Sequence, residues 1–284
     1  MNYRHAFHAG NFADVHKHAV LARLLTHLRA KPAPFRAIDT HAGAGIYSLA
    51  SPEAERTGEW KDGIARLLDT ALDPQAAELF APYIDTVKAS NPPQQLVVYP
   101  GSPALVRSML RRDDRLIACE LEPGAAGALA EAVGRDARVK TIAIDGWTAL
   151  SAYIPPKERR GLVMVDPPFE HPEEFSRLGD AVVRACRKWP TGIFMLWYPI
   201  KDRVGPDTLA RALRTSGIPK ILRAELEVAP PGHDPARLRG SGLILINPPY
   251  RLQGELSIMQ PTLAAALGRA VAGHTRTEWI ACEK

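Results

Sequence analysis

The pattern of apolar positions predicts one long helix near the beginning of the chain, followed by a short strand. Apolar residues recur at helical spacing across 13–30, which predicts an amphipathic helix. A short apolar run then covers 35–39 and leads into a turn that contains Gly43 and Gly45. This arrangement predicts a strand that ends in a tight turn.

The segment from 51 to about 93 has a helical pattern of its own. Its two helical parts, near 59–70 and 74–89, are bounded by prolines, which do not continue a helix interior. We interpret the segment as a helical insertion between the first strand and the rest of the sheet. The predicted organisation is a main domain made of 1–51 and 95–284, with an inserted helical subdomain at 52–94.

Strands alternate with helices in the part of the chain that follows. Such alternation implies a parallel sheet that is covered by helices on both faces. The predicted strands are 116–120, 139–145, 162–166 and 193–198, and the predicted helices are 124–133, 147–153, 173–188 and 206–215.

The last two predicted strands break this alternation. They cover 221–228 and 243–246, and the link between them is rich in Pro and Gly and has no helical pattern. Parallel neighbours need a crossover, usually a helix, so this link predicts an antiparallel last strand. A closing helix follows at about 259–271. The predicted fold class is therefore α/β, with a mostly parallel sheet, an antiparallel last strand and a small inserted helical subdomain.

Four consecutive parallel strands end in an acidic residue. Open parallel sheets bind ligands at the carboxyl ends of their strands, where the sequence places Asp39, Glu120, Asp145 and Asp166. Glu120 is placed to accept both hydroxyls of a ribose, and Asp145 to meet the exocyclic amine of an adenine. Turn chemistry accounts for any one of these acids, but the ordered set favours a nucleoside ligand. The first turn lacks GxGxxG spacing and a P-loop lysine, which disfavours a dehydrogenase.

The fourth of these strands is followed by Asp166-Pro-Pro-Phe169, which suits methyl transfer to a planar nitrogen. The lone pair of an exocyclic amine is delocalised into its ring, so the amine is a poor nucleophile. A carboxylate and a neighbouring backbone carbonyl can accept hydrogen bonds from the amine and direct its lone pair toward a methyl donor. The prolines stiffen the loop, and Phe169 offers a face on which an extruded base can stack.

A second run, Asn247-Pro-Pro-Tyr250, also follows an apolar strand and fits the same pattern. If that strand is antiparallel, its carboxyl end lies at the opposite edge of the sheet. We therefore select Asp166 as the catalytic candidate and interpret Asn247 as part of a structural turn.

Charge and composition favour a polyanionic partner in a reducing compartment. The formal net charge is +5, and arginine outnumbers lysine among the 36 basic residues. Arginine suits RNA because it forks onto phosphates and stacks on bases, although a GC-rich coding sequence produces the same bias. The three cysteines match no metal pattern, which indicates the cytoplasm. The polar N-terminus and the absence of long apolar runs indicate neither a signal peptide nor a membrane location.

Histidines, aromatic residues and basic residues crowd into the first 18 positions, including Tyr3 and His18. A metal site is one interpretation, but the spacing matches no zinc pattern, so no metal is predicted. A solvated surface is another. We favour a polar lid over a cofactor that also contacts RNA, because aromatic and basic residues interleave as nucleic-acid surfaces require. Further basic clusters, each more simply explained as a solvated face, are Arg111, Arg112 and Arg115; Lys157, Arg159 and Arg160; and Arg237 and Arg239.

The sequence resembles the bacterial 23S ribosomal RNA adenine-N6-methyltransferases over nearly its whole length. The resemblance implies a Rossmann-like, S-adenosylmethionine-dependent enzyme that methylates N6 of an adenine in 23S rRNA, at position 2030. The runs that carry it are more specific than Asp166–Phe169, which many amino methyltransferases share. They are Tyr3-Arg-His-Ala-Phe-His-Ala-Gly-Asn11, Asp14-Val15, Lys17-His18, Asp39-Thr-His-Ala-Gly-Ala-Gly45, Ala54-Glu-Arg-Thr-Gly-Glu59, Tyr99-Pro-Gly-Ser-Pro103 and Leu196-Trp-Tyr-Pro199.

The resemblance also implies roles for individual residues. Asp166, with Phe169, is expected to be catalytic, and Tyr3 to contact the substrate RNA. Phe169 stands where the family often has tyrosine, so a face for stacking is kept and a hydroxyl is lost. Such enzymes are expected to act as cytoplasmic monomers on 23S rRNA that is free of protein, before subunit assembly. The residues expected to line the S-adenosylmethionine site are His18, His41, Ser102, Glu120, Asp145, Gly146 and Asp166.

Other functions stay open on the sequence alone. The Asp166–Phe169 run also suits adenine N6 of DNA and guanine N2 of RNA. An RNA-binding protein with a vestigial donor pocket would keep the fold without the chemistry. A metal enzyme would use the N-terminal histidines.

Overall fold

The structure is a computed structural model that describes residues 4–171, 173–229, 238–268 and 273–282. No helix in these ranges is both long enough and apolar enough to cross a membrane. The strands are β1 (Arg36–Asp39), β2 (Ile46–Ser48), β3 (Val98–Pro100), β4 (Arg115–Glu120), β5 (Val139–Ala143), β6 (Gly161–Val165), β7 (Ile193–Ile200), β8 (Ile221–Glu227), β9 (Gly240–Ile246) and β10 (His274–Ala281). The α-helices are α1 (Phe12–Arg29), α2 (Pro52–Thr57), α3 (Ile64–Asp69), α4 (Pro74–Ala89), α5 (Ser102–Met109), α6 (Pro123–Val133), α7 (Gly146–Ala152), α8 (Glu174–Lys188), α9 (Val204–Thr215) and α10 (Leu252–Leu267).

Eight strands form one sheet in the order β10-β8-β9-β7-β6-β1-β4-β5. The strands from β5 to β7 in this order are parallel, whereas β9 is antiparallel to both β7 and β8. The predicted parallel sheet with a reversed strand is therefore confirmed, and the architecture is Rossmann-like α/β. The chain passes from β1 to β4 on one side and later to β6 on the other. Strand order thus reverses at β1, where open α/β sheets bind ligands.

Both faces of the sheet carry a buried apolar core. One core includes side chains of α1, α4 and α10, and the other includes side chains of α8 and α9. The rigid sheet between these layers fixes the positions of its strand ends, so side chains at the carboxyl edge are held in a defined arrangement.

Several elements were not predicted from the sequence. β10 pairs antiparallel with β8, so a second reversed strand follows β9 and forms the edge of the sheet. Its residues alternate in polarity only weakly and are mostly half-exposed, which is typical of an edge strand. The strands β2 and β3 and the helix α5 were also missed. α10 begins at Leu252, before the predicted start at 259, and the predicted part of this helix after 268 lies outside the described residues.

The predicted insertion contains the helices α2, α3 and α4. β2 and β3 flank this segment and pair antiparallel, with Tyr47 opposite Tyr99, so the two ends of the segment meet. Ile64, Phe80 and Tyr83 from the insertion belong to the same core as α1. The insertion is therefore packed against the sheet domain.

The predicted first helix is α1, but it is not amphipathic in the structure. The side chain of Asn11 caps it by accepting hydrogen bonds from the backbone N–H groups of Ala13 and Asp14. Polar residues that the pattern assigned to the solvent side are buried inside the protein. Buried polar groups cost free energy unless they are paired, so these side chains require partners. The buried polar residues of α1 are Asp14, His16, Lys17, His18 and Arg23.

Asn247 follows β9 at the edge of the sheet opposite to Asp166, as predicted from the direction of that strand. Its amide nitrogen donates hydrogen bonds to the carbonyl oxygens of Pro190 and Gly192, at 2.7 and 2.8 Å, just before β7 begins. Its φ is +53°, a left-handed conformation that asparagine tolerates. Asn247 is therefore a turn residue that connects the beginning of β7 to the end of β9.

Replacing Asn247 with alanine is expected to lower the free energy of unfolding by about 2–3 kcal/mol, because two hydrogen bonds are lost and alanine disfavours this φ. Asn247→Gly loses the same hydrogen bonds but accepts the φ, so it should retain about 1 kcal/mol more stability than the alanine variant. Urea denaturation measures both. Equal stability of the two variants would show that the left-handed backbone imposes no constraint here.

Candidate active site

The carboxyl ends of β1, β4 and β6 meet at one edge of the sheet. Asp39, at the end of β1, lies in register with Ala118 of β4 and Met164 of β6. Thr40 donates hydrogen bonds from its backbone N–H and its hydroxyl to the carbonyl oxygen of Met164, at 3.1 and 3.0 Å. The end of β1 is thereby fixed beside the strand that leads to Asp166.

Lys17 joins α1 to the loop after β6. Its ammonium nitrogen lies 2.5 Å from Asp166 Oδ2 and 3.0 Å from Asp14 Oδ1, and 5% of its side chain is exposed. Asp14 also accepts a hydrogen bond from the backbone N–H of Gly10 and lies 2.9 Å from His5 Nε2. Burial opposes ionisation of Asp14, but the charges of His5 and Lys17 hold its pKa well below the usual value. A buried charge chain, Asp14–Lys17–Asp166, therefore links the first helix to the candidate catalytic loop.

Asp39 is buried next to this charge chain. The hydroxyl of Ser102, the first residue of α5, donates a hydrogen bond to Asp39 Oδ2 at 2.7 Å. Burial raises the pKa of Asp39 to about 7; the charge of Asp166 adds to the rise, while Ser102 and Lys17 oppose it. The carboxyl group of Asp39 therefore changes its protonation near neutral pH.

Glu120 organises the glycine turn after β1. One of its carboxylate oxygens accepts a hydrogen bond from the N–H of Gly43 at 2.8 Å, and the other accepts from the N–H of Glu122 at 2.9 Å. Gly43 has a φ of +61°, and a side chain there would collide with the hydroxyl of Tyr47. Each carboxylate oxygen has a second lone pair, so Glu120 can hold this turn and still accept hydrogen bonds from a ligand.

Asp145 and Gly146 form the beginning of α7 beside the same turn. Asp145 caps the helix by accepting a hydrogen bond from a backbone N–H in its first turn at 2.9 Å. A side chain at Gly146 would collide with the carbonyl of Thr40 and the ring of His41, so glycine permits the close approach of α7. The ring of Trp147 meets the His41 ring edge-on at 5.4 Å. Burial lowers the pKa of His41 to about 4, so this ring is neutral.

His18 is buried against β3 rather than among the acidic residues at the carboxyl ends of the strands. Its Nδ1 lies 2.7 Å from the hydroxyl of Tyr99, and the two rings stack at 5.6 Å. The Tyr99 hydroxyl is also 2.9 Å from that of Tyr83. Burial lowers the pKa of His18 to about 3, so the ring is neutral. Because Tyr99 lies just before Ser102, His18 supports the segment that carries Ser102 to the site.

Phe169 belongs to an aromatic group with Phe175 and Trp197. The centroid of the Phe169 ring lies 4.8 Å from that of Phe175 and 5.8 Å from that of Trp197. The ammonium group of Lys17 lies 5.6 Å from the centroid of the Trp197 ring, so the aromatic group borders the buried charge chain. Phe169 has a φ of +51°, which is strained for a bulky residue. Strain of this kind concentrates at functional sites.

A buried polar network holds Trp197 on its other side. The indole N–H donates a hydrogen bond to the hydroxyl of Ser241 at 3.0 Å, and that hydroxyl lies 3.0 Å from His16 Nδ1. His16 Nε2 lies 3.2 Å from the amide nitrogen of Gln260. Burial lowers the pKa of His16 to about 3, so the ring is neutral. The network connects α1, β7, β9 and α10 behind the aromatic group.

His18 is buried behind this edge of the sheet. The other predicted site residues that the structure describes lie at the edge itself: His41, Ser102, Glu120, Asp145, Gly146, Asp166 and Phe169. Tyr3 lies outside the described residues. Within the described ranges, no group of three or more His, Cys, Asp or Glu side chains is arranged to hold a metal ion. The sequence placed Asp14 and Lys17 in the predicted N-terminal lid and Asp39 among the strand-end acids, but it predicted no individual role for these three residues or for Trp197. A signal was present for the first two, because a spacing of three residues places an acid and a base on one side of a helix.

The raised pKa of Asp39 generates a prediction about stability. Between about pH 4 and pH 7 the unfolded chain ionises this carboxyl group while the folded chain keeps it protonated, so the Asp39 contribution to stability should fall as pH rises through this window. Asp39→Asn has no carboxyl group at this position and lacks this contribution. The unfolding free energy of the parent protein minus that of Asp39→Asn should therefore fall by up to roughly 4 kcal/mol as pH rises across the window, as measured by urea denaturation. A difference that does not change with pH would contradict the assignment.

The Rossmann-like sheet, its acidic carboxyl edge and the Asp166–Phe169 loop place the chain in the methyltransferase class. A family model described as "Ribosomal RNA large subunit methyltransferase D, RlmJ" matches residues 32–281. The chain is 41% identical to Ribosomal RNA large subunit methyltransferase J of Escherichia coli (strain K12) and 37% identical to the protein of that name from Haemophilus influenzae, with 100% of each chain covered. It is also similar to the crystal structure of protein LPL1258 from Legionella pneumophila, with a TM-score of 0.87, 35% identity, and coverage of 95% of this chain and 98% of that one. The chain therefore belongs to the family of ribosomal RNA large subunit methyltransferases that this model describes.

Proposed function

We propose that this chain transfers a methyl group from S-adenosylmethionine to N6 of an adenine in 23S ribosomal RNA. The observation that carries the proposal is the environment of Asp166, which lies at the carboxyl edge of the sheet. It is paired with the buried Lys17, and its loop ends in the aromatic group of Phe169 and Trp197. Membership of the family and the net charge of +5 support an RNA substrate.

The residues of the carboxyl edge fit S-adenosylmethionine. Gly43 and Gly146 leave space that side chains would fill. Glu120 offers acceptors for ribose hydroxyls, and Asp145 offers one for the amine of the donor's adenine. Asp39 offers a carboxyl group to the cationic part of the donor. When bound, the donor supplies an electrophilic methyl group on a sulfonium sulfur. His18, His41, Ser102 and Asp166 complete the proposed donor site.

Asp166 orients the adenine amine for attack. Because Lys17 donates to Oδ2, Oδ1 is the carboxylate oxygen that is left to accept a hydrogen bond from the amine. A backbone carbonyl of the proline loop accepts the other N–H, so the lone pair is directed out of conjugation with the ring. A donor held at this edge would supply the methyl group as its sulfur–carbon bond breaks, and the amine held by Asp166 would then release one proton to solvent.

Phe169 and Trp197 provide the surface for the extruded base. Base stacking on an aromatic ring contributes about 1–3 kcal/mol, which offsets part of the cost of unstacking the adenine from the RNA. Phe169 has no hydroxyl, so the proposed contact is stacking alone. Tyr3 contributes a further contact to the RNA.

The proposal also covers the organisation and setting of the enzyme. Residues 52–94 form an inserted subdomain, joined through β2 and β3 to a main domain made of 1–51 and 95–284. The enzyme acts as a cytoplasmic monomer on 23S rRNA that is free of protein, before subunit assembly. The common core shared by the insertion and α1 supports a fixed position of the subdomain on the main domain.

Asp166→Ala is expected to reduce methyl transfer to protein-free 23S rRNA by about 100-fold or more, because it removes the group that orients the amine. The assay uses radiolabelled S-adenosylmethionine and unmodified 23S rRNA. Asn247→Gly, in the matching loop at the other edge of the sheet, serves as the control and should keep its activity. Full activity of the Asp166 variant would contradict the role of this carboxylate.

Digestion of the product to nucleosides identifies the methylated atom. N6-methyladenosine is the expected product. Detection of N2-methylguanosine instead would show that the target is guanine and would contradict the proposed adenine target. Methylation of DNA in preference to RNA would change the substrate class. Calorimetry with S-adenosylmethionine completes the test, because failure to bind the donor would identify an RNA-binding protein with a vestigial pocket.

A further inference from the structure

One side of α8 carries a row of exposed cations. Arg177, Arg184 and Lys188 are exposed, and their spacing of seven and four residues places them on one side of the helix. The small, half-buried Ala181 stands between the first two. The row, which we call the α8 stripe, covers about 16 Å along the helix axis at 1.5 Å per residue.

These cations have no acidic partners among the residues that the structure describes. Arginines elsewhere, such as Arg36 and Arg138, form close pairs with carboxylates. On α8 and α9 the exposed ionisable side chains are six cations and one acid. The resulting excess of five equals the formal net charge of the whole chain. The members of this set are Arg177, Arg184, Arg187, Lys188, Arg211 and Arg214, with Asp180 as the acid.

The α8 stripe begins at the candidate active site. The guanidinium carbon of Arg177 lies 4.7 Å from the centroid of the Trp147 ring, and that ring contacts His41. His41 follows β1 at the carboxyl edge, so Arg177 reaches that edge through the ring of Trp147. α8 also follows directly after the loop that carries Asp166. A strand bound along the stripe would therefore lead to the catalytic loop.

Grooves run along both sides of α8. The groove between α7 and α8 is lined by Trp147, Leu150, Ser151, Arg184 and Lys188, among others. The groove between α8 and α9 includes Arg184, Arg187 and Ser216. Arg184 borders both grooves and stands on the ridge between them. An elongated anion is therefore offered cations along the ridge and an aromatic ring at its end.

The basic clusters at the opposite edge of the sheet have a different role. Arg111 donates hydrogen bonds to the carbonyl oxygens of Lys31 and Ala33, and it forms a close pair with Asp114. Arg160 donates to the carbonyl oxygens of Ala33 and Leu28. These guanidinium groups fasten the segment after α1 to the beginnings of the strands, and they lie far from the edge that carries Asp166.

We propose that the α8 stripe, with Trp147 at its end, binds the phosphodiester backbone of the substrate RNA and guides the target strand to Asp166. The inference rests on the proposed function, because it assigns the surface that holds its substrate. Arginine suits this role since its planar donors match phosphate oxygens. Contacts of this kind position an RNA without reading its sequence.

The test compares two double variants of the full-length protein that remove the same amount of charge. Arg184→Ala with Lys188→Ala shortens the stripe, and Lys31→Ala with Arg112→Ala removes two exposed cations that flank Arg111 at the opposite edge. Binding of protein-free 23S rRNA is measured between 50 and 200 mM salt. The stripe variant should bind roughly ten-fold more weakly or worse at the lower salt, and the slope of log K against log salt should fall by about 2. The opposite-edge variant should match the parent protein.

Kinetics separate RNA binding from chemistry. For the stripe variant, kcat/KM for RNA should fall while kcat at saturating RNA and the affinity for S-adenosylmethionine stay unchanged. Unchanged donor affinity also shows that the variant is folded. Equal salt slopes for the two double variants would overturn the inference, as would a loss of kcat without a change in KM. Absence of methyl transfer by the parent protein would instead overturn the proposed function, and the salt slopes would still report on the stripe.

Discussion

The buried ammonium group of Lys17 is the interaction on which the candidate site depends. Asp14 and Asp166 both lie within ion-pair distance of it, and Asp39 is buried nearby. Carboxylates held close together inside a protein repel each other and lose hydration, so they require a cation or must take up protons. Lys17 serves two of them directly, and the third has a pKa of about 7. The same buried cation therefore fixes both the docking of α1 and the position of the candidate catalytic loop.

This dependence explains why the first helix is buried on nearly all sides. A helix that only covered an apolar face would leave its polar residues in water. Here His16 supports Trp197 through Ser241, and His18 supports β3 through Tyr99. Successive polar residues of α1 thus hold different parts of the site. A shift of this helix would disturb the charge chain, the aromatic group and the segment before Ser102 together.

The features that could be predicted from the sequence are those set by local pattern and by chain connectivity. The acids at the strand ends follow short apolar runs, and the reversal of β9 follows from a link without a helix. That reversal distinguishes Asp166 from Asn247 by placing them at opposite edges of the sheet. The residue types of the two runs, Asp166–Phe169 and Asn247–Tyr250, could not distinguish them. The features that were missed depend on contacts between distant segments. Lys17 and Asp166 are far apart in sequence, and periodicity assigns a polar residue in a helix to solvent. β10 was missed because an edge strand is only weakly patterned.

The two proposed ligands have opposite charges, and the structure separates the surfaces that suit them. The carboxyl edge gathers Asp39, Glu120, Asp145 and Asp166, which favours a cationic donor and would repel phosphates. The exposed cations of α8 and α9 favour an RNA backbone and would repel a sulfonium. Arg177 and Trp147 lie where the two regions meet, next to the neutral ring of His41. A neutral base can cross this boundary while its phosphates stay on the basic side. In the proposed reaction, extrusion of the adenine from its strand would therefore also move the amine away from the cations that hold the RNA and toward the acids that hold the donor.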